Sequence, residues 1–224
     1  MLKQELLPLN KANLSGRALS SIRVVDMSRV LAGPWATQFL ADMGADVIKI
    51  ERPGTGDDTR SWGPPWFTAA DGKHESAYFV STNRGKRSIA VDANSRGAAL
   101  AADMAAEADV FVENFKLGDL KRYGLDYASL AARNPRLVYC SISGFGQNGP
   151  YALLPGYDFI AQAMGGMMSP TGEPNGAPVK MGVALADIMT GLYASSGSDS
   201  IGPVNMISCI MHSMRLDALV NKGP

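Results

Sequence analysis

The 224-residue chain is poor in the residues that build metal sites and disulfide frameworks. It has two cysteines, Cys140 and Cys209, and two histidines, His74 and His212. That is too few for a cystine-stapled scaffold or a cysteine-rich zinc site, so no metal is expected. The scarcity of imidazole also argues against Ser-His or Cys-His nucleophilic catalysis. Neither charge sign is in excess, with 21 Lys+Arg against 21 Asp+Glu. Such a balance leaves no electrostatic footprint for nucleic acid or an anionic membrane. An anionic ligand must therefore be held by local groups. No apolar run reaches the ~20 residues of a membrane span. The longest candidate, "SIGPVNMISCIMHSM", is short and broken by Gly202-Pro203. The N-terminal "MLKQELLPLNKANLSGR" lacks the apolar stretch of a secretory signal. These absences point to a soluble, cytoplasmic chain.

What is present is enough apolar residue, 46%, for a real core, and a repeated alternation of strand and helix patterns. "SIRVVDMS" (21–28) is a short β-branched run. In "GPWATQFLADMGA", Pro34 suits a first helical turn, Trp35, Phe39, Leu40 and Met43 share a face, and Gly44 suits a C-cap. "DVIKIE" (46–51) follows as a strand, completing a βαβ unit. Further strands are expected at 87–92, 109–114 and 136–144, separated by the helical "SRGAALAADMAAEA" and by "LGDLKRYGLDYASLAARN". Segment 52–78, rich in Gly and Pro, reads as a long functional loop. Residues 156–168 read as a helix loosened at Gly165-Gly166, and a helix through Ala194 opens near Asp187. The fold class expected is α/β, an open, mostly parallel sheet with helices on both faces. Such sheets bind ligands at the carboxyl ends of their strands.

Three features could carry chemistry. "GFGQNG" (144–149) matches a dinucleotide fingerprint, but Pro150 and "LLPG" interrupt the helix that should follow, so it reads as a glycine-rich turn. "NRGKR" (83–87) offers Arg84, Lys86 and Arg87 either as phosphate ligands or as a solvated strand start. Asp187 is a lone acid in the small, apolar "KMGVALADIMTGLYASSG". It reads equally as a helix N-cap or as a poorly hydrated carboxylate with tuned reactivity. Asp158 in "GYD" carries the same ambiguity.

Taken in order, "RVLAGPWATQFLADMGADVIKIERPGTGDDTR", "NRGKRSIAVD", "DVFVENFKLG", "NPRLVYCSISGFGQNGPY", "PGYDFIAQAMGG" and "ALADIMTGLYA" resemble the class III CoA-transferases. The likeness spans 18–197, with 1–17 as an extension and 198–224 as a divergent tail. "GDDTRSWGPP" is most similar to the branch that moves CoA between dicarboxylates. The resemblance implies that Asp187 is the nucleophile, forming an aspartyl-CoA thioester. It implies CoA contacts at Leu31 and Ala32, Arg52, Val91 to Asn94 (Val91, Asp92, Ala93, Asn94), Asn114, Phe115, Lys116 and Arg122. The segment Pro155 to Asp158 (Pro155, Gly156, Tyr157, Asp158) is placed near the pantetheine. No permanent cofactor is implied, only CoA and acyl-CoA as substrates, with a carboxylic acid as acceptor.

Two departures matter. Racemases of the same superfamily pair this aspartate with a histidine in "GHD", where this chain has Tyr157. An unperturbed Tyr, with pKa near 10, is poorly matched to proton abstraction at neutral pH, so transferase is favoured over racemase. The tail "SDSIGPVNMISCIMHSMRLDALVNKGP" matches none of the family pattern, which suggests a truncated or frameshifted product. The expectation is a chain with the catalytic acid and a CoA half-site, little activity of its own, and no means to close the interlocked homodimer of the family. An inactive CoA-binding fragment is the further alternative.

Overall fold

The computed structural model describes residues 16–92, 95–199 and 206–210. Strands β1 (Arg23–Asp26), β2 (Asp46–Glu51), β5 (Arg87–Ala90), β6 (Val110–Glu113), β7 (Val138–Ser143) and β8 (Met206–Ile210) form one sheet in the order β5-β2-β1-β6-β7-β8. Every pairing in it is parallel. With the small hairpin β3 (Trp66–Thr68) and β4 (His74–Ser76) set aside, this is the doubly wound 3-2-1-4-5-6 order. The direction of winding reverses between β1 and β6. The expected open α/β sheet is therefore present, and its ligand crevice belongs at that reversal.

Short β-branched strands covered on both faces follow from the residues. Val24 faces one core with Ala36, Leu40 and Val47, while its neighbour Val25 faces the other with Phe111, Leu130 and Leu137. Helices α1 (Ala32–Asp42) and α6 (Leu185–Asp199) cover the first face, and α3 (Ser95–Ala106) and α4 (Tyr127–Arg133) the second. Pro34 does lie in the first turn of α1, and Gly44, at φ 108°, ends it. The apolar face of α1 differs from the expectation. Ala32, Ala36 and Leu40 are buried, whereas Phe39 and Met43 are exposed. The reason is the close approach of α6. A Cβ at Gly191 would lie 2.7 Å from the Ala32 carbonyl oxygen and 2.9 Å from Trp35 Cδ1, so small side chains fill this contact.

Several boundaries move. Segment 52–78 is a loop with short elements of its own: a 3-10 turn at Asp58–Ser61, the β3–β4 hairpin, and the start of α2 (Ala77–Asn83), a helix not expected from the sequence. The Arg60 guanidinium organises it, bonding both Glu51 carboxylate oxygens at 2.7 and 2.8 Å and lying 3.7 Å over the Phe79 ring. Helix α5 (Asp158–Met164) is shorter than the expected 156–168 and ends at the glycine pair instead of passing through it. Within the stretch set apart as a tail, 206–210 joins the sheet, pairing Tyr139↔Met206 through Ser143↔Ile210. The "NRGKR" cations are not poised for phosphate. Arg84 pairs with Asp42, Arg87 with Asp46, and Lys86 is buried against Asp26.

An alanine replacing glycine in an exposed helix adds up to ~1 kcal/mol of stability. At Gly191 the sign should reverse, because the added methyl must push α1 and α6 apart. Gly191→Ala is expected to lower the urea-unfolding free energy by roughly 1–3 kcal/mol. A gain would show that α1 and α6 separate freely.

Candidate active site

The turn after β1 carries Ser28, Arg29, Val30 and Leu31 into the start of α1, and the turn after β6 carries Asn114, Phe115 and Lys116. The two turns are tied directly. Asn114 accepts from the Arg29 amide at 2.9 Å and donates to the Arg29 carbonyl at 2.7 Å. Beyond β7, Gly144 meets Gly156 backbone to backbone. A Cβ on Gly144 would come 2.3 Å from Gly156 Cα, so only glycines allow the 155–157 segment to close against the strand end. These pieces enclose a cleft of about 520 Å³ whose wall includes Asp187.

Asp187 stands in the first turn of α6. It is not the cap. That task falls to Asp158 at the start of α5, whose carboxylate accepts from the Ala186 amide at 2.8 Å and from Gln162 Nε2 at 2.7 Å. Gln162, fully buried, also accepts from the Met181 amide at 2.9 Å, so α5 holds the chain on both sides of residues 182–185. Burial, then the charge of Asp158, pushes the Asp187 carboxyl up to about 7. Its proton is poorly shed because few groups compensate the charge. Tyr78 of α2 feels the same acids: burial, then Asp187, Asp158 and Asp57, raises its phenol further above 10.

The cleft gathers Leu31, Ala32, Asn114, Phe115, Lys116, Pro155, Gly156, Tyr157 and Asp187, nine of the residues expected at a site. The others are not among its lining residues. Arg52 follows β2 and pairs with Asp58, which does line the cleft. Val91 extends β5 by bonding Glu51. Asp92 is exposed, and Arg122 stacks at 4.7 Å on Tyr123 away from the cleft wall. Ala93 and Asn94 lie outside the described residues. Arg29, Val30, Asp58 and Ser143 also line the cleft and fall within the strand ends at which an open sheet collects its ligand. Nothing in the sequence marks Leu153 and Leu154, which enter from an irregular loop. Arg29 lies 5.1 Å over the Phe115 ring and 3.5 Å from Asp58. Together with exposed Lys116 it places cations at one side of the cleft. Among the described residues no cluster of three His, Cys, Asp or Glu could hold a metal, and no helix is long and apolar enough to cross a membrane.

A doubly wound sheet with an underhydrated acid and nearby cations at its switch point defines an α/β protein with a ligand crevice at its strand ends. The particular family follows from comparison. The family model for CoA-transferase family III matches residues 19–198, and the chain belongs to that family. It is 56% identical over 199 residues to the succinate–glutarate CoA-transferase of Agrobacterium fabrum, covering 88% of this chain and 48% of that protein. It is 49% identical over 179 residues to the human succinyl-CoA:glutarate CoA-transferase, covering 80% of this chain and 40% of that one. A crystal structure of a CAIB/BAIF family protein from Brucella suis superposes with a TM-score of 0.84 at 49% identity, covering 92% of this chain and 56% of that one. The chain thus spans about half the length of the curated relatives it matches.

The raised acid has a cost to folding with a definite sign. Asp187 goes from an ordinary 3.8 to about 7 on folding, so the folded state holds its proton longer. Stability is lost as pH rises through that window, by at most about 1.4 kcal/mol per pH unit. Asp187→Asn, which removes the charge, is expected to melt several degrees above the parent at pH 8 and level with it at pH 4. Thermal scans at the two pH values check this. Equal melting at both would mean that the carboxylate is well solvated.

Proposed function

We propose that this chain carries the CoA-binding half and the nucleophile of an enzyme that transfers coenzyme A from an acyl-CoA to a carboxylic acid, with dicarboxylates as the preferred acids. The observation that carries the reading is Asp187: an acid held out of water, next to a second acid, in a cleft at the sheet's switch point. The naming of the relatives for succinate, glutarate and oxalate supports the substrate class.

The chemistry runs as two exchanges. The Asp187 carboxylate attacks the donor thioester carbonyl, the carbon–sulfur bond breaks, and CoA thiolate leaves a mixed anhydride. The thiolate then attacks the Asp187 carbonyl carbon, giving an aspartyl-CoA thioester and releasing the donor carboxylate. An acceptor carboxylate attacks that thioester and expels the thiolate again. The thiolate takes the acceptor acyl group and frees Asp187. Each bond broken is an activated acyl bond, so the thioester's free energy is conserved. Water competes at every step, and an apolar wall of Leu31, Ala32, Ile142 and Leu154 limits it. Burial also strips the nucleophile of solvent that it would otherwise have to shed.

The remaining groups bind. Arg29 and Lys116 suit the phosphates of CoA, with Lys116 acting as a compact charge and Arg29 as a fork. Asn114 and Phe115 offer an amide and a ring face beside them, and the Pro155 to Tyr157 wall suits the pantetheine. Val91 to Asn94, after β5 in the sequence, suit the adenosine side, and Arg52 and Arg122 are further basic contacts for the phosphates. Asp158 acts by seating α6 and raising the Asp187 carboxyl.

Incubation with glutaryl-CoA or succinyl-CoA, then hydroxylamine, tests the reading by peptide mass spectrometry. The expected result is a hydroxamate confined to Asp187 and absent from Asp187→Asn. With pH the labelling rate should rise through about 7, as the nucleophilic form accumulates. Deuterium incorporation at the acyl α-carbon without labelling would instead identify racemase chemistry. CoA binding with neither would reduce the chain to a binding half.

A further inference from the structure

The β1–α1 turn contains a conformation that its sequence does not favour. Val30 has φ 72°, and among the described residues it is the single non-glycine with positive φ. A β-branched side chain is strained there, so something outside the turn must impose it. The hydrogen bonds show what does. The Ser28 amide donates to Asp26 Oδ1 at 2.9 Å, and the Ser28 carbonyl accepts from Lys49 Nζ at 2.8 Å. Both polar groups of the Arg29 backbone are held by Asn114. The Val30 amide donates to Asp57 Oδ1 at 3.3 Å. Five successive backbone groups are thus bonded to side chains from β1, β2, the turn after β6 and the 52–78 loop.

Two of these side chains form a buried ion pair. Lys49 Nζ lies 3.0 Å from Asp57 Oδ2, with side-chain exposures of 1% and 0%. Asp57 is itself locked, accepting from the Thr59 amide at 3.0 Å and hydroxyl at 2.8 Å, while its own amide donates to Glu51 at 2.9 Å. A buried pair of this kind is a poor way to gain stability, because desolvation consumes most of the attraction. What it provides here is direction: one end grips the Ser28 carbonyl, the other the Val30 amide. Val30 and Leu31 line the same cleft as Asp187.

We propose that Lys49 and Asp57 are positioning residues that hold the Val30 turn in its strained form, and so fix the cleft wall that CoA meets. The proposal rests on the reading of the cleft as a CoA site. Glycine at position 30 adopts the left-handed conformation without strain. The clamp should then become dispensable, and this separates positioning from simple structural support.

The test uses the full chain in four forms: parent, Asp57→Asn, Val30→Gly and the double variant. CoA is the probe, titrated by calorimetry, and the Val30 and Leu31 amides are followed by hydrogen exchange. Asp57→Asn keeps the shape but removes the charge facing Lys49. It should weaken CoA binding by roughly tenfold, the size of one lost charge-assisted contact. It should also speed exchange at Val30. Adding Val30→Gly should restore CoA affinity to within about threefold of Val30→Gly alone. An equal loss in both backgrounds would overturn the proposal, since plain structural damage does not depend on residue 30. Should the parent fail to bind CoA, the site reading fails, and exchange still decides the clamp: unchanged Val30 protection in Asp57→Asn overturns it. If Asp57→Asn does not fold, Thr59→Val loosens the same carboxylate without removing charge, and should give the same pattern in smaller measure.

Discussion

The structure depends on an unequal treatment of its buried acids. Asp26, at the end of the central strand, is fully enclosed. Burial alone would raise its carboxyl, but the charges of Lys86 and Lys49 and the hydroxyls of Ser28 and Thr37 hold it well below the usual range. Lys86 in turn is pushed down to about 8 by burial, against the pull of Asp26. Glu51 is brought to about 2, with burial outweighed by Arg60, Ser88 and the Asp57 amide. These acids are compensated in full and belong to the frame. Asp187 receives burial and a neighbouring negative charge. Compensation of Asp26 and Glu51 makes the frame rigid enough to keep Asp187 without it.

That contrast explains the placement of the motifs. The charge pairs sit beneath the carboxyl ends of β1 and β2, where the chain must turn sharply from strand to helix and backbone groups lack ladder partners. Asp26, Lys49 and Asp57 supply those partners from within. The cleft above is left to small and apolar groups, and backbone approaches backbone there, as at Gly144 and Gly156. A site built this way is shaped by the sheet below it more than by its own lining.

Much of this was legible in the chain. The parallel sheet followed from short β-branched runs alternating with helical patterns, while the cleft residues at 31, 114 and 155–157 came from the family resemblance, the first two lying past strand ends and the last in the loop before α5. The lone acid in "ALAD" was visible as an anomaly, though spacing could not separate cap from catalyst. Setting the cap aside required Asp158, 29 residues away, to be seen bonding the Ala186 amide. Tertiary pairing decided other readings too. "NRGKR" reads either as a phosphate cluster or as a strand start until Asp42, Asp46 and Asp26 arrive from distant strands and helices. Phe39 and Met43 look like core on a helical wheel until Gly191 brings α6 down on the alanine side of α1. Strand β8 had no alternation to mark it, because a parallel strand gains its identity from its neighbour.

On the proposed reading, an acid that is costly to ionise would lose that cost when it reacts. In anhydride and thioester forms Asp187 would carry no charge, so a cleft that disfavours its carboxylate would favour acylated states. The same desolvation that raises the carboxyl to about 7 would then lower the step from carboxylate to covalent intermediate. Asp158 contributes to this from a fixed position, because its own oxygens are occupied by Ala186 and Gln162 and its charge cannot swing away. The pairing of one anchored acid with one unanchored acid, on helices α5 and α6 that are locked together, is thus a way to store reactivity in a carboxylate through its surroundings alone.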